Sequence, residues 1–320
     1  MQGVPFRFIV EVGDPLFYVS PKGDERKEQV VEIKLNLLKD YATELVSLVW
    51  EQKRAGLGMQ TIGLVAGRSP DEDTEIGIDV AAEGLLKKAL VKIANSLEAA
   101  MHVFSEHGRY DIGSGPKQML VSVDPFDGSG LFQRGIPAEW WAVWSLFLED
   151  CTPVFGCAVD ILRGVLYVAQ QGEVVRIDLS SNGEETHVFR GTKNGLDDTP
   201  HLAAYLMNPT YFLPWASKMN FLGDYPKVRV WPNGGSCIYP WLAEGLVHAY
   251  VMFEEPRTEI DPGLGFAQAA GLTVASVAED GTLVRYRFDP TNTAGRVPLF
   301  IAACTHELAE EIARKVISSN

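Results

Sequence analysis

One stretch carries the strongest signal in this sequence: Val121-Ser122-Val123-Asp124-Pro125-Phe126-Asp127-Gly128-Ser129-Gly130. It begins as an apolar run rich in valine and ends in residues that favour a turn. Because Pro125 fixes φ and has no backbone N–H, the run predicts a strand over 119–124 that ends there. The spacing alone is also typical of an Asp/Gly turn between strands, so both interpretations stay open at this point.

The polar groups of this stretch suit the binding of a cation and an anion side by side. A strand that ends at Pro125 can direct the carboxylates of Asp124 and Asp127 and the Phe126 carbonyl to one side. Hard oxygen ligands of this kind suit Mg²⁺ or Mn²⁺. Gly128 and Ser129 then offer backbone N–H groups at an expected helix N-terminus, where an anion is favoured. The stretch therefore predicts phosphate chemistry.

Composition sets outer bounds on fold and function. With 320 residues, 46% hydrophobic and 22% charged, the chain is expected to be globular and long enough for two domains. A net charge of −14 argues against a broad nucleic-acid or anionic-membrane footprint. An anionic substrate would have to be attracted by local features such as bound cations. The cysteines match no zinc pattern and are expected to be small buried hydrophobes: Cys151, Cys157, Cys237 and Cys304.

Targeting signals are not apparent in the sequence. The opening Met1-Gln2-Gly3-Val4-Pro5 has no basic region followed by an apolar one, so we expect no signal peptide. No apolar run approaches the roughly 20 residues that span a bilayer. The expected location is the cytoplasm.

Hydrophobic periodicity predicts strands and helices alternating through both halves, and therefore a layered α/β fold. The polar segment 191–200 is the best candidate linker, which predicts domains over 1–195 and 196–320. Strands are predicted at 6–20, 102–105, 119–124, 141–148, 154–160, 165–169, 173–190, 202–207, 227–231, 248–253 and 273–288. Helices are predicted at 28–53, 79–99, 211–221, 236–245, 262–271 and 305–318.

Asp-Pro-Phe-Asp-Gly-Ser over 124–129 resembles the signature of the inositol monophosphatase/fructose-1,6-bisphosphatase superfamily, which consists of metal-dependent, typically lithium-sensitive phosphatases. The resemblance spans roughly residues 30 to 310 and implies the sugar-phosphatase fold, with alternating α-β-α-β-α layers. Four further motifs follow the family order: Ile78-Asp79-Val80-Ala81-Ala82-Glu83, Phe104-Ser105-Glu106-His107, Gly234-Gly235-Ser236, and Glu259-Ile260-Asp261-Pro262 with Ala269-Ala270-Gly271.

The resemblance implies a set of metal ligands and catalytic groups. Asp124, Asp127 and the Phe126 carbonyl would bind metal. Asp79 would hold the attacking water, with Ser129 relaying a proton to it. By itself Asp79 is as well explained as a helix cap, because Asp is favoured there.

Two positions depart from the family pattern. Relatives carry two acids where this chain has Glu106 and His107, so Glu106 is the implied ligand and His107 the main departure. A neutral imidazole there could coordinate metal or orient water, or His107 could be a surface residue. Glu259 and Asp261 compete for one ligand place; the distance to Ala269-Ala270-Gly271 favours Glu259, with Asp261 as second choice.

The substrate side is less well defined. Gly128, Ser129, Gly235, Ser236 and Asn208 are the implied substrate-binding residues. Arg134, Arg229 and Arg257 are possible phosphate partners, because guanidinium matches phosphate in a bidentate way. Tryptophans in the middle of the chain are expected in the core: Trp140, Trp141 and Trp144.

The resemblance implies a Mg²⁺-dependent phosphoric monoester hydrolase that uses two or three Mg²⁺ (or Mn²⁺) and acts on a small sugar or inositol phosphate. The Asp79 motif and the spacing of Glu259 favour a fructose-1,6-bisphosphatase, whereas the segment after Ser129 is nearer to inositol monophosphatases. Adenosine 3′,5′-bisphosphate stays an alternative substrate. A non-catalytic member that binds a phosphorylated ligand or a partner protein is the alternative function. Family members are usually dimers or tetramers, so a homo-oligomer is expected.

Overall fold

The computed structural model of the chain describes residues 33–64, 74–180, 184–188 and 191–318. The strand predicted over 6–20 and the first residues of the helix predicted over 28–53 lie outside these ranges. Among the residues described, no helix is long and apolar enough to cross a membrane.

The described ranges form eight α-helices and sixteen strands. The helices are α1 Leu35–Ala55, α2 Gly77–Leu97, α3 Ser129–Gln133, α4 Pro209–Lys218, α5 Ile238–Glu244, α6 Arg257–Ile260, α7 Leu264–Ala270 and α8 His306–Ser318. The strands are β1 Thr61–Leu64, β2 Thr74–Ile76, β3 Ala99–Ser105, β4 Gly108–Gly113, β5 Lys117–Asp127, β6 Trp141–Leu148, β7 Pro153–Asp160, β8 Val165–Gln170, β9 Glu173–Asp178, β10 Glu185–Val188, β11 His201–Ala203, β12 Arg229–Trp231, β13 Ala249–Pro256, β14 Thr273–Val277, β15 Leu283–Arg285 and β16 Arg296–Ala303.

Two sheets organise the molecule, and a small ribbon joins β1 and β2. The large sheet has the order β10-β9-β8-β7-β6-β5-β3-β4, and the small sheet has the order β12-β11-β13-β16-β14-β15. In the large sheet β3 and β5 run parallel while the other neighbours are antiparallel. The strands of the two sheets fall on either side of residue 195. The division into two domains stays a prediction.

Helices cover these sheets in layers. Helices α1 and α2 pack together and α2 lies on the large sheet, whereas α7 contacts β6, β7 and β8 of the same sheet. On the small sheet, α4 contacts β13 and α8 contacts β16. Two buried clusters follow this division, one between α1, α2 and the large sheet and one extending through α7 into the small sheet. The predicted α/β class is confirmed.

Several element predictions need correction. The strand predicted over 119–124 does not end at Pro125 but continues to Asp127. The helix predicted over 79–99 begins at Gly77, and the one predicted over 236–245 begins at Ile238. Strands β4 and β16 were not predicted. In β16 the run 299–303 is buried throughout, which is typical of a central strand covered on both faces.

The core predictions for single residues are mostly confirmed. The three tryptophans are fully buried: Trp140, Trp141 and Trp144. Three cysteines are buried as predicted, but Cys151 is partly exposed because it lies in the turn between β6 and β7, with φ of 67°. All four are free thiols.

The buried Ser145 side chain joins the large sheet by hydrogen bonds to the segment that leads into α7. The Ser145 hydroxyl in β6 donates to the Pro262 carbonyl at 2.5 Å and accepts from the Gly265 N–H at 2.8 Å. No residue other than glycine fits at position 265, because a Cβ would lie 2.3 Å from the Phe155 carbonyl oxygen. The segment following Glu259 is therefore held close to β6 and β7.

We expect Ser145→Ala to destabilise the protein by about 1–3 kcal/mol, because it leaves one buried donor and one buried acceptor unsatisfied. The measurement is the free energy of unfolding in urea. The exposed helical Ser96 is the matched control, and Ser96→Ala is expected to change it by less than about 0.5 kcal/mol. Equal effects of the two substitutions would contradict the fastening role.

Candidate functional site

A β-bulge at the end of β5 sets the direction of two carboxylates. Asp124 pairs with Val143 of β6 and Asp127 pairs with Trp141, so three steps along β5 correspond to two along β6. In a regular strand, residues three apart point to opposite faces; one inserted residue brings them to the same face. Pro125 fits within the bulge because its missing N–H falls where the ladder is interrupted.

Three carboxylates meet beside this bulge. Ligand atoms of Asp124, Asp127 and Glu259 all lie within 4.8 Å of one another. Within the part of the chain that the structure describes, this is the one group of its kind, and Asp79, Glu106 and Asp261 are not part of it. We call these three residues the acid cluster.

The segment that leads into α5 holds the acid cluster from the opposite side. The Ser236 hydroxyl donates to Asp124 Oδ2 at 2.7 Å and approaches Asp127 Oδ2 at 3.3 Å. The Cys237 backbone N–H donates to Asp127 Oδ2 at 2.8 Å. Ser236 is fully buried and its hydroxyl contacts the two aspartates, so the structure places this side chain on the cluster.

Gly235 permits this close approach. Its φ is +108°, and a Cβ on it would lie 2.7 Å from Glu259 Oε2 and 3.0 Å from Asp127 Oδ2. Its N–H donates to the Tyr250 hydroxyl at 3.1 Å, and that hydroxyl donates to the buried Glu255 at 2.6 Å. Only glycine adopts this conformation and leaves the space open.

Burial and mutual repulsion disturb the titration of the cluster. Burial raises the pKa of Asp127 to about 8, and the charge of Glu259 adds to the effect while the Cys237 N–H opposes it. Burial also raises the pKa of Asp124 well above its usual range, with further contributions from Asp127, Glu106 and Glu259. Without a counter-ion, ionising these groups is costly.

Glu106 lies beside the cluster and contacts the histidine that follows it. It comes directly after β3, and its charge acts on Asp124. The buried His107 ring lies between two acids, with Nε2 3.3 Å from Glu106 Oε1 and Nδ1 3.4 Å from Glu75 Oε1. The interpretation of His107 as a surface residue is therefore wrong: its side chain, in the turn between β3 and β4, is only 7% exposed.

Asp79 is buried in the first turn of α2, where its Oδ2 accepts from the Ile76 N–H at 2.7 Å. The carboxylate therefore acts as a helix cap, the alternative given above for this residue, but from within the first turn. The helix predicted to begin at Asp79 begins two residues earlier, so Asp79 is its third residue and not its N-cap.

The structure separates Glu259 from Asp261. Glu259 lies in α6 and belongs to the acid cluster. Asp261, two residues later, is buried and accepts from the Tyr286 hydroxyl at 2.7 Å. Burial raises the pKa of Asp261 to about 7 against the opposing hydrogen bond from Tyr286. The sequence preference for Glu259 agrees with this arrangement.

A cleft of about 460 Å³ opens onto the acid cluster. Asp127 and Glu259 line it together with Gly128, Ser129, Gly235 and Asn208. Phe126 is not a lining residue; its side chain is buried in the core, packed against Phe132. Of the three arginines considered as phosphate partners, Arg134 lines the cleft, whereas Arg229 contacts Pro226 and Val228, and Arg257 contacts Tyr286.

Some residues near the site were not found from the sequence. Tyr250 and Glu255 line the cleft, and buried Glu139 accepts from the indole N–H of Trp231. Burial raises the pKa of Glu139 to about 7, and its charge acts on Asp127. Glu139 stands at φ of 52°, and its carbonyl oxygen occupies the place where a Cβ on Gly128 would lie. The contact between Gly128 and Glu139 could not be predicted from the sequence, because it forms only when the chain folds.

The acid cluster fits a divalent cation by the chemistry of its donors. It consists of carboxylate oxygens, the ligands preferred by Mg²⁺ and Mn²⁺. Asp124 Oδ1 is buried without a hydrogen-bond partner among the residues described. A cation bound there would satisfy this oxygen and relieve the repulsion that raises the pKa of both aspartates.

Known proteins are similar to this chain in sequence and in fold. No family model matches. A curated protein of Thermococcus kodakarensis named fructose-1,6-bisphosphatase/inositol-1-monophosphatase is 28% identical over 174 residues, which are 52% of this chain and 61% of that protein. The alignment therefore covers less than two thirds of that relative's length.

Two solved structures share the fold over most of both chains. A hypothetical Pyrococcus horikoshii protein described as having similarities to inositol-1 monophosphatase superposes with a TM-score of 0.59 at 23% identity, covering 88% of this chain and 95% of that one. The extragenic suppressor protein SuhB of Bartonella henselae gives 0.62 at 14% identity, with 88% and 97% covered. These comparisons confirm the resemblance that the motifs carry.

The raised pKa of Asp127 leads to a prediction about pH. The folded-state pKa lies above the unfolded value of 3.8, so ionisation favours the unfolded chain and stability falls as pH rises from about 4 to 8. In a chelating buffer, Asp127→Asn should reduce this fall and be more stable than wild type at pH 8, by on the order of 2 kcal/mol. At pH 4 the two should agree closely.

Urea unfolding at pH 4, 6 and 8 measures the effect. The exposed Asp197 supplies the control, since Asp197→Asn should keep the wild-type pH profile. Parallel profiles for wild type and Asp127→Asn would show that the cluster carries no repulsion.

Proposed function

We propose that this protein is a divalent-cation-dependent phosphatase that hydrolyses a small phosphate monoester. The observation that carries the proposal is the acid cluster: Asp124, Asp127 and Glu259 bring their oxygens within 4.8 Å of one another, and Asp127 and Glu259 line a cleft. The similarity to a protein named as a phosphatase of this kind supports it.

The cluster and its neighbour Glu106 would hold the cations. A bound divalent cation would activate the attacking water and neutralise the negative charge on the phosphate and on the departing oxygen. Glu106 would complete the ligand set from the end of β3. The number of ions follows from how many of these acids bind, and two or three Mg²⁺ are our proposal.

The chain's own groups would bind and orient the ester. The backbone N–H groups of Gly128 and Ser129, beside the cluster and on the cleft wall, would donate to the phosphate oxygens. Ser129 would pass a proton from the attacking water towards Asp79. Arg134 is the one lysine, arginine or histidine among the residues found to line the cleft, and it would meet negative charge at the mouth.

The substrate we favour is a sugar or inositol phosphate. Asn208, whose side chain accepts from the Thr210 N–H, presents a polar group in the cleft, as do Asn233 and Tyr205. Groups of this kind suit the hydroxyls of a polyol. A nucleotide such as adenosine 3′,5′-bisphosphate stays the alternative substrate.

One observation keeps a non-catalytic function as the second candidate. The residue after Glu106, which contacts it, is His107 and not a second acid. The site therefore offers less negative charge to a cation than a site with two acids would. Such a protein would bind a phosphorylated ligand without hydrolysing it. Phosphate release from a panel of sugar, inositol and nucleotide phosphates, with and without Mg²⁺ and Li⁺, separates the two functions.

We expect Asp124→Asn to lower turnover by about 10²-fold or more, because a neutral amide replaces a carboxylate that the proposed cation requires. The measurement is phosphate release at saturating Mg²⁺, with circular dichroism to confirm the fold. Asp197→Asn is the control and should keep full turnover. Near-normal turnover of Asp124→Asn would remove the argument for the cation.

Glu259 and Asp261 can be distinguished by binding alone. We expect Glu259→Gln to weaken Mn²⁺ binding by about tenfold or more, since it removes a ligand, while Asp261→Asn keeps an acceptor for Tyr286 and changes binding less than about threefold. Electron paramagnetic resonance of free Mn²⁺ measures both. The reverse ranking would make Asp261 the ligand.

A further inference from the structure

One side chain contacts both flanks of Glu259. The Tyr286 hydroxyl accepts a hydrogen bond from Arg257 Nη1 at 3.1 Å and donates one to Asp261 Oδ1 at 2.7 Å. Arg257 and Asp261 are the residues two before and two after Glu259. A single hydroxyl therefore bridges the two ends of the turn that carries the third acid of the cluster.

Tyr286 itself is held firmly by the small sheet. Its ring is buried and meets Phe300 of β16 edge to face, with ring centroids 5.8 Å apart. The guanidinium carbon of Arg257 lies 4.9 Å from the centre of the same ring. The packing of the ring against β16 thus fixes the position of the hydroxyl.

The turn needs such support. Helix α6 has four residues, and an isolated helix of that length has no stability of its own. Glu259 also faces the negative charge of Asp127, which favours its displacement from the cluster. The backbone attachments of this segment include the Arg257 N–H, which donates to the Gly295 carbonyl at 3.0 Å.

We propose that Tyr286 is a positioning residue, which holds Glu259 in the acid cluster by bridging Arg257 and Asp261. The inference rests on the proposed cation site and adds to it a group that touches neither cation nor substrate. Groups that orient metal ligands in this way change metal affinity by about 10–100-fold when removed.

The test measures Mn²⁺ affinity by electron paramagnetic resonance for wild type, Tyr286→Phe, Glu259→Gln and the double variant. Tyr286→Phe keeps the ring and its packing and removes the hydroxyl alone. Tyr167→Phe is the matched control, because the Tyr167 hydroxyl donates to Glu244 at 2.9 Å, away from the acid cluster. Thermal denaturation of each variant confirms the fold.

Tyr286→Phe is expected to weaken Mn²⁺ binding about tenfold, Tyr167→Phe less than twofold, and Tyr286→Phe is expected to add less than twofold when Glu259 is already Gln. Unchanged affinity in Tyr286→Phe, or the same tenfold loss without Glu259, would overturn the positioning role while leaving the cation site in place. A wild-type protein that binds no Mn²⁺ would overturn the cation site and the positioning role together.

Discussion

The bulge in β5 is the constraint on which the site depends. Without one inserted residue, Asp124 and Asp127 would point to opposite faces of the large sheet and could not both belong to the acid cluster. The bulge also explains why a proline is tolerated in a strand with neighbours on both sides. In the sequence, Asp124-Pro125-Phe126-Asp127 looks like the end of a strand. In the structure the strand continues, and the bulge changes the direction of the side chains within it.

Gathering acids at this point carries an electrostatic cost, and the small sheet and its connections offset part of it. Ser236 and the Cys237 N–H donate to the aspartates, and Gly235 leaves room for Glu259 to approach. Burial and the charge of Glu259 nevertheless raise the pKa of Asp127 to about 8, so the hydrogen bonds alone do not compensate for burial and repulsion. A chain with a net charge of −14 has no general attraction for anions, and a cation in the cluster would reverse the local sign.

The acid cluster is assembled across the two sheets, so their relative position controls it. Asp124 and Asp127 belong to the large sheet, whereas Ser236, Cys237 and Glu259 come from segments that border the small one. Several polar contacts join these layers near the site: Ser145 with the backbone of 262 and 265, and Glu139 with Trp231. Tyr286 acts within the same boundary by bridging the flanks of Glu259. A change that destabilises the interface between the two sheets is therefore expected to disturb the geometry of the acid cluster as well.

The sequence by itself determined the fold class, most of the elements and the principal acids, because these depend on local patterns. Apolar runs predicted β6, β7 and β8, and the resemblance carried by five motifs named Glu106, Asp124, Asp127 and Glu259 as candidate ligands, with Asp261 as second choice for the place of Glu259. Element ends and the central strand β16 were missed; β5, for example, continues past Pro125 because a bulge accommodates the proline, and the pairing that forms the bulge is not visible in the local sequence.

Only the tertiary structure decided which acids meet. It placed Glu259 in the cluster and Asp261 on Tyr286, although both stand in the same short motif, because a turn directs side chains two residues apart to different surroundings. It also turned His107 inward between Glu75 and Glu106, and it brought Glu139 against Gly128. These contacts join residues distant in the chain through sheet pairing and layer packing, and no local pattern records them.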